Sequence, residues 1–135
     1  MKLKNIIKDC KYPLEIHRDN RGFICDIFYK KKINHVTYIK TLPKKIRGNH
    51  FHKHTTQIIL VTKGTLEYWY KNHKSNNNKA KMVLLRPGDL LETPPYEIHA
   101  LRTRREINEF IVYSWGTRGG KDYEKDTYRV DNIIE

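Results

Sequence analysis

The 135-residue sequence has few of the features that mark secreted or membrane-spanning proteins. Its two cysteines, Cys10 and Cys25, are spaced neither as a disulfide framework nor as a metal-binding pair. The chain has no apolar run long enough to cross a bilayer, and its N-terminus has no apolar stretch of the signal-peptide kind. We therefore expect a soluble, cytoplasmic protein whose cysteines are free thiols.

Acidic residues are scarce relative to basic ones. The chain has 15 Asp and Glu against 27 Lys and Arg, which gives a formal net charge of +12. This excess favours an anionic partner, such as a phosphorylated small molecule, an acidic surface or nucleic acid. An AT-rich genome, which raises Lys, Asn and Ile content, explains the charge equally well. Because no recognised nucleic-acid motif is present, we expect neither a nucleic-acid partner nor a membrane partner.

The hydrophobic pattern predicts many short strands and no long helix. β-Branched and aromatic residues form short runs, and turn signals such as Lys63-Gly64 and Pro87-Gly88 separate them. The run 57–62 is almost continuously apolar, which is typical of a strand that is buried on both faces. The pattern therefore predicts an all-β fold, namely a small antiparallel β-barrel or jelly roll.

The length fits one domain that spans residues 1–135. Residues 1–13 form a mixed basic and apolar arm, and in small β-barrels such an arm often supplies an edge strand, sometimes to a partner subunit. Residues 116–135 form a charged tail, in which residues 123–132 are expected to be a loop or a short helix.

The strongest functional signal is the stretch 47–53. His50 and His52 are one residue apart, so on a strand both side chains point to the same face. Gln57 follows on the same part of the chain, and a later segment supplies His99. Together these residues predict a concave site lined by imidazoles and an amide. Such a site either binds a metal or forms a metal-free pocket of bases and hydrogen-bond donors, and the residues alone leave both possibilities open.

The spacing resembles the two sequence motifs of the cupin superfamily. The matching positions, in chain order, are His50, His52, Gln57 and Gly64, then Gly88, Pro94 and His99. The resemblance implies a double-stranded β-helix barrel that is often a dimer, so we expect a homodimer. It also implies that His50, His52, Gln57 and His99 are the ligands if zinc or another divalent metal is bound, although no cofactor is obligatory. Gln57 replaces the usual Glu, which lowers the expected metal affinity because a negative charge is lost.

A narrower resemblance indicates the substrate class. The stretch from Arg47 to Gln57 resembles the signature of nucleotide-sugar 3,4-ketoisomerases, and its Arg-Gly-x-His part resembles that of dTDP-4-keto-6-deoxyhexose 3,5-epimerases. The turn 19–22 resembles an Asp-x-Arg-Gly turn of the same families. With the tail residues 126–128, the histidine stretch also resembles the zinc-binding C-terminal cupin domain of capsular polysaccharide-assembling proteins, an epimerase of UDP-linked keto sugars. Thr37 departs from the ketoisomerases, which place a functional Tyr there.

These resemblances imply an isomerase or epimerase that removes the proton next to the ketone of a nucleotide-linked 4-keto-6-deoxy sugar, in the synthesis of surface polysaccharide or glycan. The expected partner is a dTDP- or UDP-sugar. Two alternatives remain. One is a metal-dependent cupin of another class, such as a dioxygenase, a lyase or a free-sugar isomerase, and the other is a non-catalytic sugar-binding cupin.

Residue roles follow from this hypothesis. The predicted catalytic residues are His50, His52, Tyr38 and Lys53. The predicted substrate-binding residues are Arg47, Gln57, Tyr113 and Arg102. His50 or His52 is the expected base, Tyr38 is a candidate acid, Lys53 is a candidate for polarising the keto oxygen, and Arg47 is the expected diphosphate contact because guanidinium forks onto phosphate oxygens. The same two histidines are the best candidates for both base and metal ligand, and these roles compete.

Overall fold

The computed structural model describes residues 1–9, 16–75, 79–122 and 124–135. Residues 10–13 of the predicted arm, with Cys10, lie outside this part. The strands are β1 (Lys2–Asn5), β2 (Ile16–Asp19), β3 (Gly22–Cys25), β4 (His35–Thr41), β5 (Ile46–Phe51), β6 (Thr56–Lys63), β7 (Leu66–Asn72), β8 (Lys81–Leu85), β9 (Asp89–Thr93), β10 (Glu97–Arg102), β11 (Asn108–Trp115) and β12 (Tyr128–Arg129). A 3₁₀ helix spans Gly120–Asp122, and none of the described residues forms a helix of membrane-spanning length.

Two five-stranded antiparallel sheets form the body of the fold. The first sheet has the order β1-β9-β6-β11-β4, and the second sheet has the order β12-β5-β10-β7-β8. Strands β2 and β3 form a separate hairpin. Most neighbours in the two sheets are distant in sequence, which is the connectivity of a jelly roll. The predicted all-β fold is confirmed.

Strand β6 illustrates why the sequence folds in this way. Its inward residues Ile59 and Val61 join the core between the two sheets. Its outward residues Ile58 and Leu60 are also buried, because the segment that contains Phe28 covers the outer face of the first sheet. Burial on both faces accounts for the continuous apolar run, as the sequence predicted.

Both ends of the described chain belong to the sheets. Strand β1 pairs with β9 at one edge of the first sheet, so the arm supplies the expected edge strand. Strand β12 pairs with β5, with Tyr128 opposite Phe51 and Arg129 opposite His50. The expectation of only loop or helix in residues 123–132 is wrong at β12. Two residues are too few to show a hydrophobic period, and this strand is defined only by its pairing with β5.

Candidate active site

Three histidines converge on one point between the sheets. His50 lies on β5, His52 directly follows that strand, and His99 lies on β10 opposite His50. The ring centroids are 4.9 Å apart for His50 and His52, 4.7 Å for His50 and His99, and 5.3 Å for His52 and His99. One ring nitrogen from each residue lies within 4.8 Å of the other two. The sequence therefore predicted correctly that these residues come together.

A bulge in β5 sets this arrangement. His99 pairs with His50 but Ala100 pairs with Gly48, so Asn49 is the extra residue, and it has a positive φ of 57°. A Cβ on Gly48 would lie 2.8 Å from the carbonyl oxygen of His99, so only glycine permits the close approach of the two strands. Gly48 thus supports the histidine geometry without any polar group of its own.

Backbone carbonyls fix the ring nitrogens of two of the histidines. Nδ1 of His52 lies 2.7 Å from the carbonyl oxygen of Asp126, and Nδ1 of His99 lies 3.1 Å from that of Glu97. Because a carbonyl only accepts hydrogen bonds, each Nδ1 must carry the hydrogen and each Nε2 keeps a lone pair. Nε2 of His52 is buried and has no hydrogen-bond partner in the described part of the chain.

All three imidazoles are neutral at physiological pH. Burial lowers the pKa of His50 to about 2, and the neighbouring His99 and His52 add to the effect. Burial lowers the pKa of His99 to about 3 and also lowers that of His52. A neutral imidazole can accept a proton or bind a metal ion, so the site is prepared for either chemistry.

A cavity of about 470 Å³ opens beside the histidines. Its polar wall contains His35, Thr37, Arg47, His50, Gln57, His99, Arg118 and Arg129. Its apolar wall contains Ile39, Ile46, Ile59, Leu101, Phe110 and Val112. The volume is within the range of small-molecule sites, and an apolar wall with a few charged groups is typical of them.

Three arginines surround this cavity. Arg47 donates from Nε to Oγ1 of Thr41 at 2.9 Å. Arg118 donates from Nε to Oγ1 of Thr127 at 2.9 Å. Arg129 pairs with Glu124, with nitrogen–oxygen distances of 2.7 and 2.9 Å. These contacts hold the guanidinium groups at the wall, where they can meet an anionic ligand, while Glu124 offsets the charge of Arg129 in the free protein.

Sequence reasoning identified Arg47 but missed Arg118 and Arg129. Neither belongs to a recognised motif, and both look like ordinary residues of a basic tail. The resemblance of residues 126–128 to a cupin family was the available signal that this segment contributes to the site.

Two predicted site residues, Tyr38 and Tyr113, lie outside the cavity. Their side chains point to the outer face of the first sheet, because the adjacent Thr37 and Val112 point inward. Tyr38 is 59% exposed and donates to Glu109. Tyr113 packs edge-on against an aromatic ring of the covering segment. The prediction that both tyrosines line the site is therefore corrected.

Two further predicted site residues, Arg102 and Lys53, also lie outside the cavity. Arg102 points to the outer face of the second sheet, where its Nε lies 2.7 Å from a carboxylate oxygen of Glu67. The ammonium group of Lys53 lies 4.2 Å from the ring centroid of Tyr128. Neither side chain lines the cavity.

The site residues fit a divalent metal. His50, His52 and His99 offer a clustered set of neutral nitrogens, and Nε2 of His52 is buried without a hydrogen bond of good geometry to the described residues. Buried polar atoms are normally satisfied, so this orphaned nitrogen is consistent with a ligand role. Gln57 lines the same cavity, and its role as fourth ligand remains a prediction.

The jelly roll and its histidine cavity have the arrangement that the two cupin-like motifs predicted. A family model described as polysaccharide biosynthesis C-terminal domain matches residues 17–128. The chain therefore belongs to this family. The comparison with curated proteins gives no match.

Solved structures with the same fold include three that are informative here. A variant of the 3,4-ketoisomerase QdtA from Thermoanaerobacterium thermosaccharolyticum, in complex with TDP-4-keto-6-deoxyglucose, has a TM-score of 0.71 and 19% identity over 96% of this chain and 86% of that one. The epimerase RmlC from Legionella pneumophila, in complex with dTDP-4-keto-L-rhamnose, has a TM-score of 0.66 and 13% identity over 85% and 68%. The capsular polysaccharide assembling protein CapF from Staphylococcus aureus has a TM-score of 0.63 and 17% identity over 87% and 34%. At these identities the three structures establish the shared fold.

Proposed function

We propose that this protein is an enzyme that epimerises or isomerises a nucleotide-linked 4-keto-6-deoxy sugar by moving a proton next to the ketone. The observation that carries the proposal is a cavity where neutral histidines and arginines line one space. A role in the synthesis of surface polysaccharide or glycan is supported by the family to which the chain belongs. The keto-sugar complexes of the structurally similar ketoisomerase and epimerase support the substrate class.

His50 is the base that the geometry favours. Of the two histidines predicted for this role, His50 lines the cavity, whereas His52 is only 1% exposed and lies behind it. The pKa of His50 is low in the free protein because its ring is buried and because His99, His52, Arg118 and Arg129 disfavour a second positive charge there. An enolate forming next to the ring would supply a negative charge and raise the pKa, which favours proton transfer in the transition state.

The arginines are suited to the diphosphate. Guanidinium groups pair with phosphate oxygens in a forked geometry, and Arg47, Arg118 and Arg129 all face the cavity. The apolar wall would pack against the sugar ring and exclude water. In this arrangement the diphosphate anchors the substrate and the histidines meet the carbon next to the ketone. The nucleotide is dTDP or UDP.

The histidine cluster also suits a metal-dependent form of the same reaction. His50, His52 and His99, with Gln57 as predicted fourth ligand, would hold zinc or a similar ion, which supplies Lewis-acid polarisation of the keto oxygen. A ligated His50 has no free lone pair and cannot act as the base. His35 lines the cavity from β4 and would then accept the proton.

Solvent exchange tests the proposal directly. The purified protein is incubated in deuterated water with dTDP- and UDP-4-keto-6-deoxyhexoses, and the sugars are analysed by NMR. We expect deuterium at a ring carbon next to the ketone with at least one substrate. No uptake with any of them would reject the function. If the protein then proved to hold a redox-active metal tightly, a cupin of another class would be favoured.

We also propose that the chain forms a homodimer. Strand β4 lies at an open edge of the first sheet, and its Val36 and Tyr38 are each 59% exposed. On the separate hairpin, Phe23 is 47% and Ile24 is 71% exposed. Native proteins block or cover an exposed apolar edge strand, and pairing with a second copy is one way to do so. Sedimentation equilibrium should give twice the chain mass, and a monomer at micromolar concentration would contradict the proposal.

A further inference from the structure

Asp126 is a fully buried carboxylate to which the reaction described above gives no role. Its two oxygens accept three hydrogen bonds from consecutive residues of the turn after β5. The backbone N–H groups of Lys53 and His54 each donate at 2.8 Å, and the hydroxyl group of Thr55 donates at 2.7 Å. The carboxylate therefore fixes the path of the chain directly after His52.

The backbone of the same residue contacts the histidine cluster. The carbonyl oxygen of Asp126 accepts the hydrogen of His52 Nδ1 at 2.7 Å. His52 is 1% exposed and Asp126 is 0% exposed, so water does not compete for this bond. The carbonyl decides which nitrogen of His52 carries the hydrogen, and the carboxylate of the same residue holds that carbonyl in place.

The turn is also held by the chain that follows β11. A Cβ on Gly116 would lie 2.2 Å from the carbonyl oxygen of His54, so this glycine packs directly against the turn. The backbone N–H of Arg118 donates to Oγ1 of Thr55 at 3.2 Å. The same Thr55 hydroxyl donates to Asp126, so it links the carboxylate to an arginine of the cavity wall.

We propose that Asp126 is a positioning residue, whose carboxylate keeps His52 in the Nδ1–H tautomer and holds Arg118 at the cavity wall. Its effect on catalysis rests on the proposed function, whereas the tautomer is a property of the free protein. Without the carboxylate, the backbone N–H groups of Lys53 and His54 lose their acceptor and the carbonyl is free to move away from His52. The Nε2 lone pair would then no longer point dependably into the site.

The test uses variants that differ in how much of this contact they remove. Asp126→Ala removes all three accepted bonds, Asp126→Asn keeps the shape but loses the charge, and Thr55→Val removes only the hydroxyl bonds. Leu85→Ala is the matched control, because it destabilises the fully buried core without touching the C-terminal segment. Imidazole ¹⁵N NMR of chelator-treated protein reports the tautomer of His52 in each folded variant.

We expect a single Nδ1–H tautomer in the wild type and in Leu85→Ala, and a mixture of tautomers in both Asp126 variants. Zinc affinity, measured by competition with a chromogenic chelator, should fall about 10- to 100-fold in Asp126→Asn and stay unchanged in Leu85→Ala. If deuterium exchange is observed, kcat should fall by a similar factor in Asp126→Asn, with a smaller change in KM.

The proposal is overturned if folded Asp126→Asn keeps the single tautomer and the wild-type zinc affinity. It is equally overturned if Leu85→Ala alters the tautomer as much as the Asp126 variants do, because the effect would then be general destabilisation. Should neither Asp126 variant fold, Thr55→Val decides by the same two criteria. Failure of all keto sugars to exchange deuterium would reject the proposed function and leave the tautomer measurement decisive for Asp126.

Discussion

The two sides of the barrel interior are built by the same two sheets and are filled in opposite ways. On the packed side, Leu66, Tyr68, Leu85 and Leu91 are at most 1% exposed and fill the space between β7, β8 and β9. On the histidine side, β5 and β10 direct imidazoles toward a cavity of about 470 Å³. Close packing stabilises the first side. On the second side, burial disfavours the protonated form of the imidazoles, because water would solvate that charge better. The difference separates residues that stabilise the fold from residues that we propose for substrate binding and catalysis.

The strongest test of this contrast is His50→Asn. We expect deuterium exchange into the keto sugar to slow by about 10²- to 10⁴-fold, the usual contribution of a positioned base. The free energy of unfolding in urea should change by less than about 1 kcal/mol, since the ring lines a cavity and does not fill a closely packed core. His54→Asn is the control, because the His54 side chain is exposed and lies outside the cavity. Exchange that persists at the wild-type rate would remove His50 from the mechanism.

Leu85→Ala tests the other side. Removing a fully buried leucine side chain should lower the free energy of unfolding by about 3 kcal/mol, because it leaves a cavity in a closely packed core. The exchange rate per folded molecule should stay within about twofold of the wild type. The measurements are urea unfolding and exchange at a temperature where the variant is folded. A large loss of exchange in the folded variant would show that the two sides are not independent.

Acid should destabilise the protein through its histidine side. The folded pKa values of His50, His52 and His99 lie below that of an exposed histidine, so below pH about 6.5 the unfolded chain binds more protons. Stability is therefore fully present above pH 6.5 and is lost as the pH falls. From pH 7 to 5.5 we expect a loss of about 1 kcal/mol for each of His50 and His99, or about 2 kcal/mol for the pair, and a further loss from His52.

Urea unfolding of chelator-treated protein at the two pH values measures this loss. His99→Gln removes one of these buried imidazoles and should reduce the loss by about 1 kcal/mol. A stability that is flat or rises between pH 7 and 5.5 would contradict the assignment of neutral, buried imidazoles.

The smallest effect is expected for Tyr38→Phe. The hydroxyl group lies on the outer face of the first sheet, where it donates to Glu109. We expect the exchange rate to change by less than twofold and the free energy of unfolding by about 0.5 kcal/mol or less. A tenfold loss of exchange would show that Tyr38 takes part in catalysis and would contradict its placement outside the site.

The histidines were predictable because their position follows from local rules. His50 and His52 share a face by strand periodicity, and the spacing to His99 matches the second cupin motif. The tyrosines were not predictable in the same way. In Val36-Thr37-Tyr38-Ile39, apolar residues occupy both faces, so the sequence does not decide which face is inward, and a shift of one residue exchanges them.

The contribution of the C-terminal segment was only partly accessible from the sequence. Asp126 and Arg129 lie more than 70 residues from the histidine strand, and a two-residue strand pairing brings them back to it. No local propensity encodes such a contact, because it depends on β5 being in place first. The resemblance of residues 126–128 to a known family marked the segment but not its function.

A crystal structure of the His50→Asn variant with dTDP-4-keto-6-deoxyglucose tests the central claim most directly. We predict that the sugar lies in the histidine cavity, with its ketone beside His99 and position 50, and that the diphosphate contacts Arg47, Arg118 and Arg129. A nucleotide sugar bound outside this cavity, or bound with its sugar turned away from the histidines, would contradict the assignment of this site.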